Sequence, residues 1–374
     1  MQKHFLILLG TRPEAIKLFP VINRLKSENR KDVAITVCAT AQHRQLLDQV
    51  LKLAEVIPDF DLDIMTSNQT LDHLTARLLA QIGDMLEKVR PTRVIVQGDT
   101  ATAMTGALSA YYHRIPVSHV EAGLRSGDIF APWPEEVNRK IVGSIADQHF
   151  APTERAAQAL RSENVPKNRI HVTGNTVVDA LILAKARVEG DPALSARWNG
   201  IRQCHGNRRI ILVTCHRREN FGGGVLNIAT ALETILARED VAVVLPVHPN
   251  PNVRDVFVSR FSNHPRVVLI SPQEYTDFVS LLSLSYLVLT DSGGVQEEAP
   301  TFGKPVLVMR DTTERPEGIE AGTARLVGAS HERIVGETFR LLDDDEIYAS
   351  MARSHNPFGD GHASERIVKV LLDA

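Results

Sequence analysis

The sequence has only three cysteines, Cys38, Cys204 and Cys215, and they form no CxxC pair. A disulfide framework is therefore excluded, and unpaired thiols suit a reducing cytosol. Long apolar runs are missing too, since none approaches the roughly 18 residues that span a bilayer. The N-terminal MQKHFLILLGTRPEA turns to charge and proline too soon for a signal peptide. Nor is there an excess of charge of one sign: 42 Lys and Arg face 45 Asp and Glu, a net charge of -3. That argues against a broad nucleic-acid or membrane-surface field, so any anionic ligand needs a local basic cluster. HExxH, clustered histidine spacing, GxGxxG with a downstream acid, and GxSxG are all absent. No metal, dinucleotide cofactor or serine nucleophile is expected. What remains is the expectation of a soluble cytoplasmic protein, with neither nucleic acid nor membrane as partner, whose 374 residues suffice for two domains at roughly 150 each.

What is present is alternation. Apolar runs at 4–10, 32–40, 93–99, 116–123 and 169–175 are separated by helical periodicity, as in RQLLDQVLKLAEV and LDHLTARLLAQIGDMLEKV. A polar stretch at 189–209 lacks strand periodicity, and the pattern then restarts at 209–217, 241–249, 266–272, 286–294, 304–311 and 324–328. Short strands buried on both faces and separated by helices imply βαβ units and parallel sheets. The fold class is α/β, with two doubly wound domains and a hinge between about 170 and 208. The last helical segment, ASERIVKVLLDA, could cap either domain.

Parallel sheets bind ligands beyond the carboxyl ends of their strands, and the chemistry here gathers after the apolar runs. In TDSGGVQEEAP, Ser292, Gly293 and Gly294 open a helix whose free N–H groups suit an anion, and Glu298 can take two ribose hydroxyls. The alternative is a plain helix cap by Asp291 or Ser292. The following Gly303-Lys304-Pro305 favours the ligand reading. Arg12 and Lys17 in GTRPEAIK, His216 and its arginines in HRREN, and Arg315 in TTERP place cations near strand ends, where a phosphate would explain them better than separate solvated charge runs. Asp99, Glu121, Glu135 and Glu136 form an acidic group. Paired carboxylates at a cleft suit proton transfer, because burial and mutual repulsion push their pKa values apart. Each could instead cap a helix or pair with Arg125 or Arg139.

Taken in order from Gly10 to Gly318, the segments GTRPEAIK, QGDT, HVEAGLRS, PWPEEVNR, HRREN, DSGGVQEEAP and GKPVLVMRDTTERPEG resemble the bacterial non-hydrolysing UDP-N-acetylglucosamine 2-epimerases. The resemblance implies a GT-B-type fold, two Rossmann-like doubly wound parallel-sheet domains with the active site in the cleft between them. Residues 1–172 would form the first domain and 173–360 the UDP-binding second, with helix 361–374 crossing back onto the first. It implies reversible epimerisation at C2 through anti elimination of UDP to 2-acetamidoglucal and re-addition. The product would supply N-acetylmannosamine units for surface polysaccharide; no cofactor is needed, and a homodimer is implied. By motif, Asp99, Glu121 and Glu135 resemble the family's essential acids, with the base and the acid unassigned among them, and His216 lies near the diphosphate. Arg12, Lys17, His216, Ser292, Gly293, Gly294 and Arg315 would bind the diphosphate, Glu298 the ribose. Gln273 and Phe278 match the uracil-side segment, although Phe278 could be plain core. Gln42, His43 and Gln45, with His248, match a regulatory UDP-N-acetylglucosamine site that some members carry. Asn68 stands where those members have Arg, which removes a charged partner from that site. The rival functions are a GT-B glycosyltransferase, a hydrolysing 2-epimerase and a silent UDP-sugar sensor.

Overall fold

The structure, a computed structural model, describes residues 2–40, 44–66 and 69–373, with side chains throughout except at 44–46, 193, 194 and 197. The chain divides into two units: Met1–Ala180 with Gly359–Ala374, and Leu181–Phe358. In unit 1, β1 (Lys3–Leu9), β2 (Val33–Ala39), β3 (Phe60–Asp61), β4 (Arg93–Gln97), β5 (Val117–Val120), β6 (Gln148–Ala151) and β7 (Ile170–Val172) form one sheet. Its order is β3-β2-β1-β4-β5-β6-β7, and every pairing is parallel. Unit 2 repeats the plan with β8 (Arg209–Thr214), β9 (Val241–Pro246), β10 (Val267–Ile270), β11 (Leu287–Thr290), β12 (Val306–Val308) and β13 (Ala324–Leu326), in the order β10-β9-β8-β11-β12-β13.

The apolar runs are strands because both faces are covered. Along β8, Ile211 and Val213 join a core with helices Gly223–Ile235 and His331–Asp343, while Ile210 and Leu212 join one with Trp198 and Leu281 on the other face. A strand's period of two sends alternate residues to opposite faces. The polar stretch at 189–209 resolves into helix Pro192–His205, anchored by buried Trp198, whose Nε1 donates to Asp277 at 2.8 Å.

The sheet of unit 1 ends with β7 at Val172, and the chain stays with unit 1 as far as Ala180. The last helix, Ala363–Asp373, belongs to unit 1 and packs against helix Arg12–Ser27. It buries Ile367, Val368 and Leu371, and Asp179 accepts the N–H groups of Ala363 (3.2 Å) and Ser364 (2.8 Å) at its first turn. Those donors have no partner within the helix itself. Among the described residues, no helix is long and apolar enough to cross a membrane.

Candidate active site

Each sheet reverses its direction of winding once: between β1 and β4 in unit 1, and between β8 and β11 in unit 2. Ligands of open parallel sheets sit beyond the carboxyl ends of the strands at such points. The segments that leave there are Gly10-Thr11-Arg12 and Gly98-Asp99-Thr100 in unit 1, and Cys215-His216-Arg217 and Asp291-Ser292-Gly293 in unit 2. The chemistry-bearing motifs therefore fall where topology places a ligand.

In unit 1, Glu121 follows β5 with φ 63°, left-handed backbone that costs a residue with a side chain of order 1 kcal/mol or more. Its buried carboxylate is ion-paired with Lys17, receives the Gln97 amide, and accepts from Asn175 Nδ2 at 3.0 Å. Neighbouring Asp99 is ion-paired with Arg139. Burial lifts the Asp99 carboxyl above the ordinary range; the Glu121 and Glu135 charges add to this, while Arg139 and Lys17 oppose it. Glu135 opens helix Glu135–Ile145, and its Oε2 is buried without a hydrogen-bond partner among the described residues. Lys17, Asp99, Glu121 and Glu135 thus share one electrostatic cluster. Neither alternative reading of Asp99 is simple: the helix after it is capped by Thr100, which accepts from Ala103 N at 3.1 Å, but an arginine partner is present in Arg139. Glu136 is structural, accepting from Ser126 N at 3.0 Å, and Arg125 is taken by Glu163.

Glu14 is the acid of this edge that the sequence reading missed. It closes a capping box with Thr11 and accepts from Gly10 N (3.0 Å), Thr11 N (2.7 Å) and Thr100 Oγ1 (2.7 Å), linking the two segments across the switch point. Burial outweighs these bonds and raises its carboxyl to about 7. His119, fully buried, donates Nε2–H to Gly98 O at 2.8 Å, and burial lowers it to about 3, so it is neutral.

In unit 2, Asp291 is fully buried and does not cap the helix that follows. It accepts instead from His216 N (2.9 Å), Arg217 N (2.8 Å) and Asn220 Nδ2 (3.1 Å), and pairs with His216 Nδ1 at 3.0 Å. Burial disfavours its charge, but these donors together hold it below the ordinary carboxylate range. The pairing leaves Nε2 of the half-exposed His216 as the ring nitrogen available to a ligand. The His248 ring lies 6.1 Å from that of His216 and accepts from Asn250 N at 3.2 Å.

Helix Gly293–Glu298 begins without any side-chain cap, so the capping alternative for Asp291 or Ser292 is overturned. A Cβ at Gly293 or Gly294 would meet only ordinary contacts, the nearest 3.6 Å from Arg217 Nη2 and 3.9 Å from Glu298 Oε1. Neither glycine has positive φ. Packing within the unit thus does not require them, whereas a ligand lying against the backbone would. Arg217, one of the HRREN cations but not among the residues expected at the diphosphate, has a buried Nε without a partner and makes no ion pair among the described residues. Arg315 is ion-paired with buried Glu297, and Arg310 with Glu219 and Glu314.

Gln273 folds its amide onto Ser271 O, and Phe278, partly buried, packs against the core around Trp198. Arg12 starts helix Arg12–Ser27 and has no ion-pair partner among the described residues. Lys304 precedes β12 and so stands at the amino edge of the sheet; it does not support the Ser292–Gly294 turn as its sequence position suggested. Gln42, His43 and Asn68 lie outside the described residues, as does the side chain of Gln45.

A sequence model of the UDP-N-acetylglucosamine 2-epimerase family matches residues 25–372. The UDP-N-acetylglucosamine 2-epimerase of Yersinia pestis is 50% identical over 371 residues, covering 98% of this chain and 97% of the relative. Among solved structures, UDP-GlcNAc 2-epimerase from Neisseria meningitidis bound to UDP-GlcNAc is 44% identical with a TM-score of 0.88, covering 99% of this chain and 100% of that one. The Methanocaldococcus jannaschii UDP-GlcNAc 2-epimerase in complex with UDP-GlcNAc and UDP is 35% identical with a TM-score of 0.82, covering 99% and 100%. The fold is thus two parallel-sheet α/β domains of GT-B type.

Proposed function

Since the chain belongs to the UDP-N-acetylglucosamine 2-epimerase family, we propose that it interconverts UDP-N-acetylglucosamine and UDP-N-acetylmannosamine by eliminating UDP and adding it back. The observation that carries this mechanism is the cluster of Asp99, Glu121 and Glu135 around Lys17 at the carboxyl edge of unit 1. The C2 hydrogen has no neighbouring carbonyl and is too weakly acidic for simple removal. As the C1–O bond breaks, its electron pair leaves with the β-phosphate oxygen, and the cationic character at C1 makes the C2 proton removable by a carboxylate on the opposite side. The product pair is UDP and 2-acetamidoglucal. In the return step the same phosphate oxygen attacks C1, and a carboxylic acid delivers a proton to the other face of C2. The raised Asp99 carboxyl suits the proton-holding role, and Glu121, held by Lys17, that of the base.

Unit 2 receives the nucleotide in this reading. The Ser292–Gly294 turn, His216 Nε2 and Arg217 bind the diphosphate, Glu298 the ribose hydroxyls, and the Gln273–Phe278 segment the uracil. Arg12 adds charge to the departing diphosphate, as does the guanidinium of Arg315, which Glu297 orients. The product would feed surface polysaccharide, and the enzyme would work as a homodimer. Asn68, which stands where regulated relatives carry Arg, leads us to expect that UDP-N-acetylmannosamine alone is converted without added UDP-N-acetylglucosamine. Incubation with UDP-N-acetylglucosamine in D2O, followed by NMR, tests the mechanism. Deuterium at C2 of both epimers is expected; a product that fully retains the original C2 hydrogen would falsify elimination.

A further inference from the structure

We propose that unit 2 carries a second anion site, for a small phosphate-bearing molecule, at the edge of its sheet opposite the candidate active site. A cavity of about 350 Å³ opens there, at the amino ends of three neighbouring strands. Arg209 begins β8, Tyr286 precedes β11 and Lys304 precedes β12, and all three line it. Arg202 and Arg208 complete a wall of four cations, and no Asp or Glu lines the cavity among the described residues. The chain as a whole has a net charge of -3, so this is no sample of a generally basic surface.

Two of the four cations are already engaged. Arg208 Nε donates to Glu239 O at 2.9 Å, and Arg209 pairs with Asp240 while its guanidinium lies 5.4 Å from the Tyr286 ring centroid. The side chains of Arg202 and the half-buried Lys304 make no hydrogen bond or ion pair with any described residue. Burial, with the charges of Lys185 and Arg202, pushes the Lys304 ammonium below its ordinary range. A partly buried cation facing other cations is costly unless an anion joins it. The cavity lies in the size range of small-molecule sites, and convergent Arg and Lys donors suit the oxygens of a phosphate group.

The test uses the full chain in phosphate-free buffer with saturating UDP, which occupies the nucleotide site proposed above; a preliminary UDP titration shows on its own whether that reading holds. Pyrophosphate and glucose 6-phosphate are then titrated by calorimetry, to separate an inorganic from a sugar phosphate. Saturable binding of either is expected. Lys304→Met and Arg202→Met should each weaken it about ten- to a hundredfold, the equivalent of one charge-assisted hydrogen bond, with UDP affinity unchanged. Lys304→Met should also melt at a higher temperature than the wild type in phosphate-free buffer, because an unpaired cation is gone. Absence of saturable binding of both probes overturns the proposal. So does binding that survives both substitutions, or that is lost in Arg217→Ala instead.

Discussion

Both units bury a carboxylate where the sheet reverses its winding, and the two carboxylates come to opposite states. Glu14, between β1 and β4, is served by two backbone N–H groups and one hydroxyl; burial wins, and its carboxyl rises to about 7. Asp291, between β8 and β11, is served by two backbone N–H groups, an amide and an imidazole; the donors win over burial, and its carboxyl falls. The two carboxylates, each at its own sheet's point of reversal but after different strands, thus differ by one strong donor, enough to reverse the charge preference. Unit 2 spends its charge on orienting His216 beside an uncapped glycine turn, an edge suited to holding a diphosphate. Unit 1 adds three more acids beside Glu14, an edge suited to moving protons.

The comparison breaks most sharply if the two edges fail to separate turnover from binding. Asp99→Asn and Glu121→Gln should each lower turnover by about 10²–10⁴-fold, the usual range for a general acid–base group, with thermal melts close to wild type. If these acids serve only as structural partners, the melts fall instead and turnover holds. The next effect concerns Glu14. Its folded-state pKa of about 7 exceeds the usual 4.5, so its contribution to stability is complete below pH 4.5 and is lost as pH rises through 7. Wild type should therefore lose about 3 kcal/mol relative to Glu14→Gln across that window, measured by denaturant titration at a series of pH values. A constant difference would mean that Glu14 is charged throughout and that the contrast with Asp291 is false. The smallest effect is on binding: Arg12→Ala and Arg217→Ala should each weaken UDP by about 1.5–3 kcal/mol by calorimetry. Unchanged affinity in either removes that arginine from the site.

Much of this arrangement was legible in the residues. Strands such as HFLILLG and RIILVT announce themselves because both faces are buried, so the apolar run is continuous. β6 did not, because its four residues QHFA carry polar groups into the core: Gln148 accepts from Ser118 at 2.7 Å, and neutral His149 is buried. β3 is only two residues long and makes no pattern. Asp99, Glu121 and His216 stand out because they are polar residues at or just past the ends of buried strands, and Glu135 through its place in PWPEEVNR. Asp291 was ambiguous, since a carboxylate before a helix reads equally as a cap; only its fourfold acceptance from His216, Arg217 and Asn220 decides. Arg217 is legible only as one of the cations of HRREN, and its buried Nε, which singles it out, is a three-dimensional fact. Lys304 was misplaced for a reason the sequence does contain: a residue before a strand lies at the edge away from the ligand.

The central claim is that proton chemistry belongs to the acids of unit 1 and nucleotide binding to unit 2. The most direct measurement is made on one sample of Glu121→Gln, taking its UDP affinity by calorimetry and its C2 deuterium incorporation from UDP-N-acetylglucosamine in D2O by NMR. The account predicts UDP affinity near that of wild type and deuterium incorporation slowed by about 10²-fold or more. Exchange at the wild-type rate, or UDP binding lost along with exchange, would contradict it.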